Sequence, residues 1–175
     1  DLTPYLNFGK ENQLSIRLDN PNNSARWYPG GGIYRNVWLT KTNKIHISQW
    51  GTYITTSDVT SASAKIHLEV NIDNNSNIDA DIEVLTDIYE LDSEGLKKGK
   101  VAGRFKKIKT LIPAFDKTKV KETLLIKKPK LWGPPPAQSP NLYLAETKVV
   151  LKGEVIDVYE TRFGIRSIEY NPDKG

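Results

Sequence analysis

The sequence has no cysteine and no methionine. Without cysteine there is no disulfide and no thiolate metal site, so stability has to come from an apolar core. No apolar run approaches the roughly 18 residues of a membrane-spanning helix, and no charged-then-apolar leader opens the chain. Helical periodicity is missing too, since no window of a dozen residues keeps apolar groups at i, i+3, i+4 and i+7. A chain that starts at Asp1 and contains no methionine reads as an excised piece of a longer product. Nor is there a strong excess of one charge. Twenty-five Lys and Arg against 21 Asp and Glu leave +4, which permits an acidic partner without requiring one.

What is present has the period of strands. In Ala64 to Ile72 every second residue is apolar, as in a sheet with one face buried and one wet. Residues 80 to 88 repeat the pattern, with Ala80, Ile82, Val84 and Ile88 opposed to Asp81, Glu83 and Asp87. Asn74-Asn75-Ser76-Asn77 between them suits a hairpin turn. Further strands are expected at 44–56, 105–112, 119–126, 142–151 and 154–165, the last two joined at Lys152-Gly153. Seven strands from residue 44 onward match the rhythm of an immunoglobulin-like antiparallel β-sandwich. Tyr143, at the start of the penultimate strand, is placed either to bond its hydroxyl back to upstream backbone or simply to pack its ring. Residues 1–40 do not fit that sandwich. They offer two strands, Asn12 to Asp19 and Ile33 to Thr40, whose apolar faces need a partner sheet, and two isolated strands are marginal.

The densest cluster of unusual residues is the segment 22–39. Gly30-Gly31-Gly32 leads straight into an expected strand, without the Lys-Ser/Thr and helix that a phosphate cradle requires. A tight turn exploiting glycine is the simpler reading. Arg26, Trp27 and Tyr28 on this loop combine flat apolar area with fixed donors, as a sugar subsite does. The opposing reading has Trp27 in the core and Arg26 paired with Asp19. Alternation puts Arg35 beside Ile33 and Val37, facing inward, where a guanidinium needs an ionic partner.

Residues 97–130 hold thirteen Lys and Arg against Asp116 and Glu122. Interleaved with Phe105 they have the look of a nucleic-acid surface, but alternating lysines also describe the wet side of an edge strand, and the edge is preferred. His46 and His67 fall on polar phases, far apart in sequence, with no Ser motif beside either and no carboxylate in an acid/base setting. No catalytic residue, metal ligand or cofactor is therefore assigned. Asn22-Asn23-Ser24 and Asn74-Asn75-Ser76 are formal glycosylation sequons.

Three motifs together carry a resemblance. Asn20 and the run Ser24 to Leu39 closely resemble the end of the N-terminal sugar-binding domain of glycoside hydrolase family 2, the β-galactosidase and β-glucuronidase family. Leu131-Trp132-Gly133-Pro134 followed by Pro140-Asn141-Leu142-Tyr143-Leu144 resembles the Leu-Trp and Pro-x-Leu-Tyr corner of that family's second, immunoglobulin-like domain. Arg162-Phe163-Gly164-Ile165-Arg166 resembles the motif that closes it, and Pro134 to Gln138 departs from the usual shorter corner.

The resemblance implies an organisation. Residues 1–40 would be the last strands of a truncated jelly roll, 41–168 the sandwich, and 169–175 a linker toward an absent (β/α)8 barrel holding the two glutamates of a retaining mechanism. The fragment would be inactive, and its parent a glycosidase, foremost a β-galactosidase. Its partners would be that barrel, the upstream jelly roll and a carbohydrate substrate, with self-association through the bare hairpin and no membrane or nucleic acid. Family habit suggests the bacterial periplasm or exterior. Arg26, Trp27 and Tyr28 would stand at the rim of the substrate pocket, while Gly30, Gly31, Gly32, Arg35, Trp132 and Tyr143 would be structural. A stand-alone carbohydrate-binding or adhesive module is the rival reading, with a nucleic-acid binder behind it.

Overall fold

The computed structural model describes residues 1–23 and 30–173. It divides into two units, residues 1–40 and 41–175.

The first unit forms one 3-10 turn, Thr3–Tyr5, and no strand among its described residues. The two strands expected at 12–19 and 33–40 are therefore not formed. Leu14, Ile16, Leu18, Ile33, Val37 and Leu39 are all exposed. The physical reason is the lack of a second layer: a two-stranded ribbon with nothing against its apolar face gains too little burial to offset chain entropy.

The second unit is all-β, an immunoglobulin-like antiparallel sandwich. Its first sheet is ordered β1-β2-β6, built from β1 (Ile45–Ser57), β2 (Ser63–Asn74) and β6 (Lys117–Lys127). The second is ordered β4-β3-β7-β8, from β3 (Ala80–Leu91), β4 (Lys97–Arg104), β7 (Tyr143–Leu151) and β8 (Glu154–Phe163). A short strand, β5 (Ile108–Ile112), shares one edge of β3: it pairs Ala80 to Val84 while β4 pairs Asp87 to Leu91. Between β4 and β5 the chain dips inward, burying Phe105, whose N–H donates to the Thr86 carbonyl at 3.0 Å. The strand expected at 105–112 accordingly begins three residues later, and β4 is an eighth strand that the periodicity did not announce. Its sequence, Lys-Lys-Gly-Lys-Val-Ala-Gly-Arg, has weak strand propensity and little apolar area to pattern.

Alternation places the core. Ala64, Ile66, Leu68, Val70 and Ile72 of β2 face Ala80, Ile82, Val84 and Ile88 of β3, and all are buried. Each isoleucine so enclosed contributes about 1.5–3 kcal/mol relative to exposure. In the middle of this face Thr86 and Thr147, cross-strand neighbours, share a hydrogen bond of 3.0 Å, which satisfies both buried hydroxyls. One flank of the sandwich is closed by polar links from β1 to β8. Ile47 N–H donates to Asp157 at 2.8 Å, and Thr52 and Thr161 hydroxyls lie 2.6 Å apart.

Two side chains fix the ends. Asn74 is fully buried where β2 ends. Its Nδ2 donates to the carbonyls of Ile78 (2.9 Å), Pro113 (2.9 Å) and Ile112 (3.2 Å), and its Oδ1 accepts from Ser76 N (2.9 Å) and Ser76 Oγ (2.6 Å). The second formal sequon therefore starts on an asparagine closed to modification. At the other corner the Tyr143 hydroxyl accepts the Lys130 N–H at 2.8 Å, the first of the two roles its position left open, with its ring also stacked on Phe163 at 5.7 Å.

Two outcomes are expected. Asn74→Ala strands buried carbonyls and should destabilise the sandwich by about 2–3 kcal/mol in urea melts. Burial pushes the Tyr143 phenol above its ordinary value. The fold thus favours the protonated form, a contribution present in full below about pH 10 and lost as pH rises further. The urea midpoint should fall as pH is raised above about 10, and Tyr143→Phe should make that fall shallower.

Candidate functional site

Of the loop residues singled out in the sequence, Arg26, Trp27 and Tyr28 lie outside the described residues. Gly30, Gly31 and Gly32 are exposed, and a Cβ on Gly31 would sit 2.4 Å from Leu18 Cδ2, so glycine there permits a close approach. Arg35 differs from expectation. With no strand there is no inward face, and the guanidinium stays exposed, 5.2 Å from the Tyr34 ring centroid, in no ion pair among the described residues.

The other motifs converge at one end of the sandwich. Trp132 N–H donates to the Ile165 carbonyl at 2.8 Å and Gly133 N–H to Ser139 at 2.9 Å, so the Pro134-to-Gln138 insert closes as a loop on its own stem. Gly164 lies directly under the indole: a Cβ there would be 2.8 Å from Trp132 Cβ and Cγ. On the ring's face rests Arg166, its guanidinium carbon 4.8 Å from the centroid, a cation–π contact. Thr56 Oγ1 donates to the Arg166 carbonyl at 2.9 Å. Together these hold the segment leaving β8 against the end of β1 and the corner before β7. A cleft of about 720 Å³ opens beside them, lined among others by Thr56, Ser57, Asp58, Trp132, Arg162 and Arg166.

One cluster was missed in the sequence. Ser57 Oγ lies 2.8 Å from His67 Nε2, and His67 Nδ1 lies 3.0 Å from Thr123 Oγ1. A hydroxyl–imidazole pair invites comparison with a nucleophile and its base, but the third member is a hydroxyl, which orients the ring without stabilising imidazolium. The nearby Asp58 is committed to Lys65 at 2.7 Å, a contact that holds its carboxyl below the usual range. The trio is a polar ladder across β1, β2 and β6. Register puts Thr123 directly opposite His67, while Ser57, paired with Lys65, reaches the ring diagonally from two residues along β1.

The basic run is largely neutralised. Eight of its thirteen cations, Lys97, Arg104, Lys107, Lys109, Lys117, Lys119, Lys121 and Lys130, sit in ion pairs with acids on β2, β3, β7 and β8. Such pairing breaks up the one-signed field that phosphate binding needs. Lysine contacts hold Glu83 (Lys107 first, then Lys109), Glu69 (Lys121) and Glu146 (Lys148, then Lys97) below the usual carboxylate range. Groups held ionised in this way are poorly suited to donate a proton as general acids. Among the described residues no three His, Cys, Asp or Glu stand together as metal ligands.

A two-sheet sandwich with a tyrosine corner and an end clasped by Trp132, Gly164 and Arg166 defines an immunoglobulin-like β-domain. The sequence profile described as "Glycosyl hydrolases family 2" matches residues 45–166, and the chain belongs to that family. It is 35% identical to a β-galactosidase of Bacteroides ovatus, covering all of this chain and 20% of that protein, and 31% identical to a β-glucuronidase of Formosa agariphila, covering all of this chain and 19% of that protein. Among solved structures, a family 2 member from Bacteroides cellulosilyticus superposes over the whole chain and 23% of its own, with TM-score 0.87 and 30% identity. The chain thus spans about a fifth of the length of these relatives.

Gly164→Ala should push the Trp132 indole off its seat. We expect a loss of about 1–3 kcal/mol from overpacking, with a change in near-UV circular dichroism from the displaced ring.

Proposed function

We propose that this chain is a non-catalytic section of a longer family 2 glycosidase, a β-galactosidase working by a retaining mechanism, in which the sandwich acts as a rigid spacer. The observation that carries this is the clasp of Trp132, Gly164, Thr56 and Arg166, which commits several contacts to fixing the direction of the chain after β8. A spacer needs that property, whereas a free-standing adhesive module gains nothing from it. The retaining chemistry requires two carboxyl groups about 5–5.5 Å apart. That pair is assigned to polypeptide outside these residues. The galactoside preference rests on similarity to the Bacteroides ovatus protein, and the similarity to β-glucuronidases makes a glucuronide the second reading. Arg26, Trp27 and Tyr28 are assigned to the rim of that pocket, on the family resemblance of their segment.

The test compares two polypeptides. Residues 1–175 should leave an aryl β-galactoside intact, while the longer protein carrying them should hydrolyse it with retention of anomeric configuration. Turnover by the 175-residue chain at enzymatic rates, or a longer protein that prefers an aryl glucuronide, would overturn the spacer or the sugar assignment respectively.

A further inference from the structure

The outer edge of β1 carries a feature that the spacer role does not use. Its pairing with β2 shifts between Ile47 and Thr52, so residues 48–51 bulge from the sheet edge. Trp50, at the tip, has φ of 56° and is 83% exposed. A bulky side chain in left-handed backbone is strained, and glycine or asparagine would fit there more easily. The bulge itself is firmly built. Gly51 admits no side chain, since a Cβ would lie 2.5 Å from the Ser48 carbonyl and 2.8 Å from that of Asn71. A second aromatic repeats the pattern nearby: Phe115, two residues before Lys117 at the start of β6, has φ of 55° and is 74% exposed. Trp50 and Lys117 line one shallow cleft of about 300 Å³. Two strained, exposed aromatics beside one strand end return nothing to the sandwich alone, and strain of this kind collects where a binding event repays it.

We propose that Trp50 and Phe115 are anchors that dock the sandwich onto another packed domain of the same longer polypeptide, an inference that rests on the reading of the chain as a section of such a protein. The relatives' lengths supply the occupant, because about four fifths of each lies outside the stretch this chain matches. Two other occupants fit less well. A sugar stacked on Trp50 needs directional polar partners around the ring, and most of those lining the cleft are already engaged: Ser48 with Asp73 at 2.6 Å, Asn71 with the Gly51 carbonyl at 3.3 Å, Lys117 with Asp73 at 3.6 Å and Lys119 with Glu69 at 3.5 Å, which leaves Gln49 and Thr118. A second copy joined edge to edge through β1 would need an unbroken ladder, which the bulge removes. An exposed indole inside a polar rim whose charged members are paired matches the anatomy of a protein contact, in which buried tryptophan dominates the binding energy.

The test measures hydroxyl-radical oxidation of Trp50 and Phe115 by mass spectrometry, in the 175-residue chain and in the longer polypeptide. Both should react about tenfold more slowly in the longer form, as side chains in a packed contact do. Trp50→Asn adds a readout of opposite sign. Relief of strain should raise the melting temperature of the 175-residue chain by a few degrees, while loss of the anchor should lower that of the longer protein. Equal oxidation rates, or a rise in both melting temperatures, overturn the proposal. Protection that depends on concentration, or that appears on adding β-linked oligosaccharides, overturns it in favour of self-association or a sugar platform. An active glycosidase with Trp50 bare would sink this inference and leave the proposed function standing, and an inactive longer protein with Trp50 protected would do the reverse.

Discussion

Two sheets with no disulfide between them are held at their spacing chiefly by the apolar layer they share. In this sandwich the layer is supplied chiefly by the inward faces of β2 and β3, where isoleucine and valine recur at every second position. Everything else is placed relative to it. Asn74 gathers the turns at one end because β2 delivers it to the same inward phase as Ile72, and Tyr143 reaches Lys130 because β7 starts in register opposite Glu90. Polar groups inside this layer persist because each has a partner, Thr86 with Thr147 and Asn74 with three carbonyls.

The outer surfaces follow a different rule. Lysines of β4, β5 and β6 alternate outward and meet acids on β2, β3, β7 and β8, which keeps the exposed edges charged without building a field of one sign. Exposed ion pairs of this type contribute little to stability individually. Their effect is on what the surface avoids, namely pairing with other strands and retention of polyanions.

Much of the sandwich could be read from residue order, and the parts that could not have a common cause. Strands with one wet face, such as β2 and β3, declare themselves by alternation, while the place of Tyr143 after a proline-rich corner left two roles open that the Lys130 contact resolved. β4 was invisible because lysine and glycine carry no hydrophobic phase. The Trp50 bulge was hidden inside an expected strand, since a shift of register is set by cross-strand sterics at Gly51 and not by local composition. Ser57 and His67 met for the same reason: their contact depends on strand pairing, which a single chain pattern does not specify. Arg35 went the other way. Its inward placement assumed a strand, and no partner sheet within these residues supports one. Of the candidate site, the Trp132 corner and the Phe163-Gly164 turn were legible as motifs, whereas their stacking against Arg166 emerged only from the fold.

The hold that Thr56 and Trp132 keep on Arg166 has a mechanical consequence. In the proposed spacer role, a small angular error at a pivot grows in proportion to the distance from it, so slack at this joint would be magnified farther on. Anchoring the pivot through both a main-chain carbonyl and an aromatic plate removes two separate rotations at once. Sequence drift along the following residues is then tolerable so long as the joint itself stays stiff.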